Sequence, residues 1–247
     1  MTSNLTRLVF AGIALTFTAS LASAGQIVID NFTQPSPGTT LLTVVAAGSN
    51  SSLQGDFPAD IIGGYRAQFL TVAPGGTQVN TLLVNSGTGD FSMSIGAGDD
   101  GSATLTYDAN GAGLGSIGNL LTFLGGGANA SNTYFQAAVK FSDQNLVFTA
   151  SFTDTGNDTA TFTSLLGPGI SFVNQAFGSF SNAGAVDFDN ISKIQIRLDG
   201  PLAQDVKIGL LEITNTPETS TPEPASMALL GSALVGLGVF GRKKLTR

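Results

Sequence analysis

The chain has 247 residues, a net charge of −7, and no cysteine, histidine or tryptophan. These absences exclude disulfides, thiol nucleophiles, imidazole or thiolate zinc sites and a Ser-His-Asp triad. Between residues 25 and 220, five basic residues face sixteen acidic ones, a net charge of −11; such a body repels phosphate backbones, which argues against nucleic acid and for cations or neutral polysaccharide as partners.

Residues 1–24 read as a secretory signal peptide. Arg7 supplies the positive start, Leu8 to Leu15 opens the apolar stretch, and Ala22-Ser23-Ala24 fits the small-x-small rule of signal peptidase. The mature chain is then expected to begin at Gly25.

Residues 25–215 read as one all-β domain. Phe91, Met93 and Ile95 alternate with Ser92 and Ser94, and Ala103, Leu105 and Tyr107 repeat the pattern. With Gly98-Asp99-Asp100-Gly101 between them, residues 91–108 are expected to form a hairpin. Phe135, Ala137, Val139 and Phe141 mark the inner face of another strand, with Tyr134, Gln136, Ala138 and Lys140 facing away. Leu146, Phe148, Ala150 and Phe152 follow, then a turn at Asp154-Thr155-Gly156-Asn157 and a return strand with Ala160 and Phe162 inward. Ile194, Ile196 and Leu198 oppose Lys193, Gln195 and Arg197, Asp199-Gly200-Pro201 breaks that strand, and Val206, Ile208 and Leu210 start the last one. Period-two alternation of this kind predicts an antiparallel two-sheet sandwich of about a dozen strands. Helical signal is confined to Leu114–Leu124. Most of the 17 phenylalanines fall at inward positions and take the place of disulfides in stabilising the core.

The stretch Val186-Asp187-Phe188-Asp189-Asn190-Ile191-Ser192-Lys193-Ile194-Gln195-Ile196, followed by Val206 to Ile213, resembles the closing strands of galactose-binding-like jelly rolls. The resemblance implies a jelly-roll-like sandwich and directs attention to Asp187, Asp189 and Asn190 as calcium ligands, since such modules often hold a structural ion near these strands. Asp99-Asp100 and Asp154 with Asn157 and Asp158 are also acid-rich, but Asp, Asn and Gly are the ordinary turn formers, and none of these runs matches a calcium-loop spacing. No cofactor is implied. Tyr65 and Arg66 are the candidate ligand-contacting pair, Arg66 being a glycan contact, a solvated strand residue or the partner of a nearby aspartate. Glycoside hydrolysis needs two facing carboxylates; of the three glutamates only Glu212 lies in the body proper, and no aspartate pair stands out. No catalytic residue is therefore named.

The C-terminus holds three features in order. Residues 216–224 are a proline-rich linker ending in Pro222-Glu223-Pro224, residues 225–241 are an apolar run, and residues 242–247 are a basic tail with Arg242, Lys243 and Lys244. At 1.5 Å per residue the run spans about 25 Å, just long enough for a single membrane helix. The basic cluster is expected to stay cytoplasmic and stop transfer. Pro222-Glu223-Pro224-Ala225-Ser226, a glycine-rich apolar helix and a terminal Arg-Lys-Lys together resemble a PEP-CTERM sorting tail. That resemblance implies an inner-membrane intermediate, recognition of the Pro-Glu-Pro region by an exosortase-type membrane protease, and delivery to the cell surface or extracellular matrix. The expected role is non-catalytic, structural or adhesive, within exopolysaccharide or biofilm; a specific carbohydrate-binding module and a polysaccharide hydrolase or lyase are the alternatives.

Overall fold

The structure, a computed structural model, describes residues 25–215 apart from 35–38, 46, 56, 58, 75–76, 126 and 201–202. Among them the chain forms β1 (Gln26–Asp30), β2 (Thr39–Val45), β3 (Gly48–Gln54), β4 (Arg66–Val72), β5 (Val79–Asn85), β6 (Asp90–Ser94) and β7 (Gly101–Tyr107). A short α1 (Leu120–Leu124) follows, then β8 (Tyr134–Ser142), β9 (Leu146–Asp154), β10 (Thr159–Leu166), β11 (Phe172–Ala176), β12 (Ile191–Gly200) and β13 (Asp205–Thr214). One sheet has the order β11-β8-β13-β6-β5-β2 with β1 beside β13, the other β10-β9-β12-β7-β4-β3. All pairings are antiparallel. No helix among the described residues is long and apolar enough to cross a membrane, and the helix expected at 225–241 lies outside them.

The alternation in sequence becomes the two faces of each sheet. Leu105, Phe148, Ala150, Phe152, Ile194 and Ile196 are at most 1% exposed, while the residues between them turn outward. Aromatic packing concentrates at one end of the core. The Phe152 ring lies 5.0 Å from Phe177, 5.7 Å from Phe180 and 5.9 Å from Phe135, and Phe177 stacks on Phe188 at 4.4 Å. Each ring so buried contributes roughly 1.5–3 kcal/mol, which lets a cysteine-free domain hold together.

Two local expectations are corrected. Residues 91–108 are not a hairpin: β6 pairs with β5 and β13, whereas β7 pairs with β4 and β12 in the opposite sheet. The connection crosses the sandwich because Asp99, folded back into it, accepts the N–H groups of Thr77 at 2.8 Å and Gln78 at 3.1 Å, and Asn80 Nδ2 at 2.7 Å. Phe141 does not point inward; it is 46% exposed. The β8–β13 pairing slips between Lys207 and Ile208 and again before Leu210, and these bulges change the phase of both strands. Leu210 is half-buried for the same reason, and Leu211 takes the inward position.

Candidate functional site

The slipped pairing opens a groove of about 580 Å³ on the outer face of the seven-stranded sheet, between β6, β8 and β13. Lys207 sits opposite Phe141 on one side and Ser92 on the other; Ser92 faces Leu83, and Leu83 faces Leu41. One row of side chains thus crosses five strands, roughly 19 Å at the usual interstrand spacing. Asp205, opposite Ser94, closes one end of the groove. Asp90, in an ion pair with Lys140, closes the other. Lys140 reaches Asp90 by lying across Gly209, where a Cβ would run into its side chain, and its Nζ also donates to the carbonyls of Thr88 at 3.0 Å and Gly89 at 3.2 Å. Lys207 is exposed and has no ion-pair partner among the described residues.

The groove therefore offers one exposed aromatic ring, one uncommitted ammonium group, one exposed carboxylate and two serine hydroxyls. An aromatic face beside mixed donors and acceptors suits a polyhydroxylated ligand whose C–H face lies on the ring and whose hydroxyls meet the polar groups. The sequence reading missed Phe141, Lys207 and Asp205. Val139, Lys140 and Phe141 alternate regularly in sequence, so the strand itself carries no signal of the slip that turns Phe141 outward.

Arg66 lies elsewhere, in the interior. It is 0% exposed, ion-paired with Asp30, and donates to Gln54 Oε1 from Nε at 2.9 Å and to the Gln34 carbonyl at 2.7 Å. Tyr107 completes the cluster by donating its hydroxyl to Asp30 at 2.9 Å, and the guanidinium sits 5.5 Å from the Phe32 ring centre. The reading of Arg66 as a glycan contact is corrected by this burial; it is the partner of an aspartate. Burial pushes the Asp30 carboxyl above its ordinary value against the lowering effect of Arg66, and burial pushes the Tyr107 hydroxyl well up. Tyr65, half-exposed beside Gly55, alternates to the other face and does not join Arg66 in one site.

Asp187, Asp189 and Asn190 form a turn. Asp187 accepts the Asp189 N–H at 3.0 Å and Asn190 Nδ2 at 2.6 Å, and Asp189 accepts the Thr122 N–H at 2.7 Å. Calcium needs six to eight converging oxygens. Here the carboxylates face N–H donors, so the residues do not fit an ion, and no group of three or more acidic side chains among the described residues is arranged to hold a metal. Glu212 is buried and accepts from Gln26 Nε2.

The expected cleavage residues Ala22 and Ala24, the sorting residues Pro222 to Ser226 and the basic stop Arg242 to Lys244 lie outside the described residues; Gly25 is described, its carbonyl accepting the Asn215 N–H at 3.4 Å. Residues 220–244 match the PEP-CTERM protein-sorting motif, which marks an exported protein sorted to the cell surface. No curated protein matches the chain in sequence. In structure the chain is similar to a family 11 carbohydrate-binding module of Clostridium thermocellum in complex with a β-1,3-1,4-mixed-linked tetrasaccharide, at 11% identity over 78% of this chain and 96% of that one, with a TM-score of 0.38. It is also similar to the family 11 module of a cellulosomal cellulase of Clostridium thermocellum, at 11% identity over 81% and 100% of the two chains and a TM-score of 0.37. An exo-β-agarase matches at 11% identity over 81% of this chain and 25% of its own, with a TM-score of 0.34.

Proposed function

We propose that the protein is a non-catalytic component of extracellular polysaccharide, structural or adhesive, that passes through an inner-membrane intermediate on its way to the surface. The observation that carries this reading is the sorting motif at 220–244 attached to an acidic, cysteine-free β-sandwich. Signal peptidase acts before Gly25, the apolar run 225–241 holds the chain in the membrane, and an exosortase-type protease recognises Pro222-Glu223-Pro224 and separates the body from the helix. Replacing Glu223 with Ala tests this in cells that process the native chain. The variant is expected to accumulate uncleaved in the inner-membrane fraction; normal appearance of a shortened body at the surface sinks the reading.

The groove supports a second, finer reading as a carbohydrate-binding module. Asp90 and Asp205 stand at its opposite ends, with Asp205 opposite Ser94, four residues from Asp90. That is about 13 Å along the strand, wider than the ~5–9.5 Å between carboxylates that hydrolyse glycosides. Binding without cleavage is what this spacing supports. The Phe141→Ala variant of the full chain, held in detergent, is expected to lose retention on the neutral polysaccharides that retain the parent. Equal retention of both removes the groove from the binding surface.

A further inference from the structure

We propose that the outer face of the six-stranded sheet is a second binding surface, whose ligand is a linear polysaccharide bearing carboxylate groups. The proposal goes beyond the groove on the opposite sheet, and depends on the surface-protein reading only for where such a polymer is met.

Registered pairing builds this face in rows. One row runs Thr163, Thr149, Arg197, Thr104, Phe69, Ser51; the next runs Thr161, Ser151, Gln195, Thr106, Ala67, Leu53. Hydroxyls are paired across β9 and β10, Thr149 with Thr163 at 3.5 Å, Ser151 with Thr161 at 3.3 Å and Thr153 with Thr159 at 2.9 Å. Phe69 is 44% exposed within the first row. No carboxylate occupies either row, although the body carries sixteen acidic residues against five basic. Two of those five, Lys193 and Arg197, point outward from β12. Lys193 has no ion-pair partner among the described residues, and Asp199 engages Arg197 through Nη2, leaving the other guanidinium N–H groups of a side chain that is 54% exposed. In an acidic molecule this face, like the groove of the other sheet, offers a free ammonium group to an anion, and here a guanidinium stands beside it; the neutral remainder of the two rows is hydroxyl and amide with Phe69, Ala67 and the exposed Leu53.

Three features select the kind of anion. Lys193 and Arg197 are four residues apart, about 13 Å along the strand. Sparse charge of that sort suits carboxylates carried on sugar units; duplex DNA presents a phosphate every ~1.7 Å and needs a denser array of cations. Adjacent strands also rotate by roughly 20–25°, so a rigid crystalline surface loses contact within a few strands while a single flexible chain follows the twist. The first row crosses six strands, about 24 Å, and sets exposed Phe69 two strands from Arg197, where a sugar can lie on the ring while a neighbouring carboxylate meets the guanidinium.

Affinity electrophoresis of the full chain in non-ionic detergent tests this, with polygalacturonate in the gel. The parent is expected to be retarded, less so as salt is raised. The Lys193→Ala/Arg197→Ala double variant is expected to bind at least about tenfold more weakly, since two charge-assisted contacts are lost. Both changes lie on the exposed face and leave the core intact, which unchanged far-ultraviolet dichroism and melting confirm. Phe141→Ala, in the groove of the other sheet, is expected to bind polygalacturonate as the parent does; its failure there would instead assign the anion to the groove and overturn the proposal. Parent-like binding by the double variant, no retardation of the parent, or tighter binding of duplex DNA than of polygalacturonate would each overturn it too.

Discussion

Arg66 illustrates how much a single buried charge depends on partners far away in the chain. Asp30 lies 36 residues before it and Tyr107 lies 77 residues beyond Asp30, yet the three meet in an interior site with Gln54 and Phe32. Truncating Arg66 to Ala leaves the Asp30 carboxylate buried without its counter-charge, a change that typically costs about 3–5 kcal/mol. Urea unfolding followed by far-ultraviolet dichroism is expected to show a loss of that size, and the Asp30→Asn/Arg66→Ala double variant is expected to recover part of it because no lone charge remains. If Arg66→Ala unfolds with the parent's midpoint, the pair is not a structural clasp. The residue types were legible in sequence, and so was the choice between a surface contact and an aspartate partner. What local pattern does not contain is burial, because Arg66 occupies an inward position of β4 only once β1 and β7 close over it.

At the scale of elements, acid is expected to act through turns. Asp99 holds the crossing from β6 to β7, and the hydrogen bond from Asn80 keeps its carboxyl below the ordinary value; the Asp187 N–H does the same for Asp154 at the β9–β10 turn. A depressed folded-state pKa means the contribution is present above the unfolded value of 3.8 and disappears as pH falls through the lower folded value. Asp30 has the opposite sign: its raised pKa makes the buried carboxylate less costly as it takes up a proton on acidification. Melting temperature should therefore hold from neutral pH to about 4 and fall below it. The Asp99→Asn variant is expected to melt lower at neutral pH and to show a shallower acid decline; a parallel decline would mean Asp99 is not responsible. The alternation around Asp99 correctly marks which side chains face inward, and β7, β9, β12 and β13 lie where period two places them. Period two cannot tell a hairpin from a crossing, since both strands bury the same face in either case. The six residues from Ile95 to Asp100, longer than a two-residue hairpin loop, were the available warning. Phe141 was misplaced for a related reason: bulges in β8 and β13 arise from the pairing itself, which no single strand encodes.

In the whole molecule, the first and last described strands pair with each other, so the two ends of the sandwich leave side by side from one sheet. β13 is an interior strand flanked by β8, β6 and β1, and it ends at Thr214, before the linker 216–224 begins. Every strand among the described residues therefore lies before the apolar run in the chain. Removing Ala225–Arg247 takes away a segment whose ~25 Å length would match a thin membrane span, together with the basic stop, and leaves every strand pairing among the described residues in place. The truncated chain is expected to leave the cell or collect outside the inner membrane, to remain in solution without detergent, and to melt at the temperature of the full chain. Fractionation and thermal dichroism read these outcomes separately. A truncated chain that still sediments with the inner membrane would place the anchor in another segment, and one that melts well below the full chain would mean the tail packs against the body.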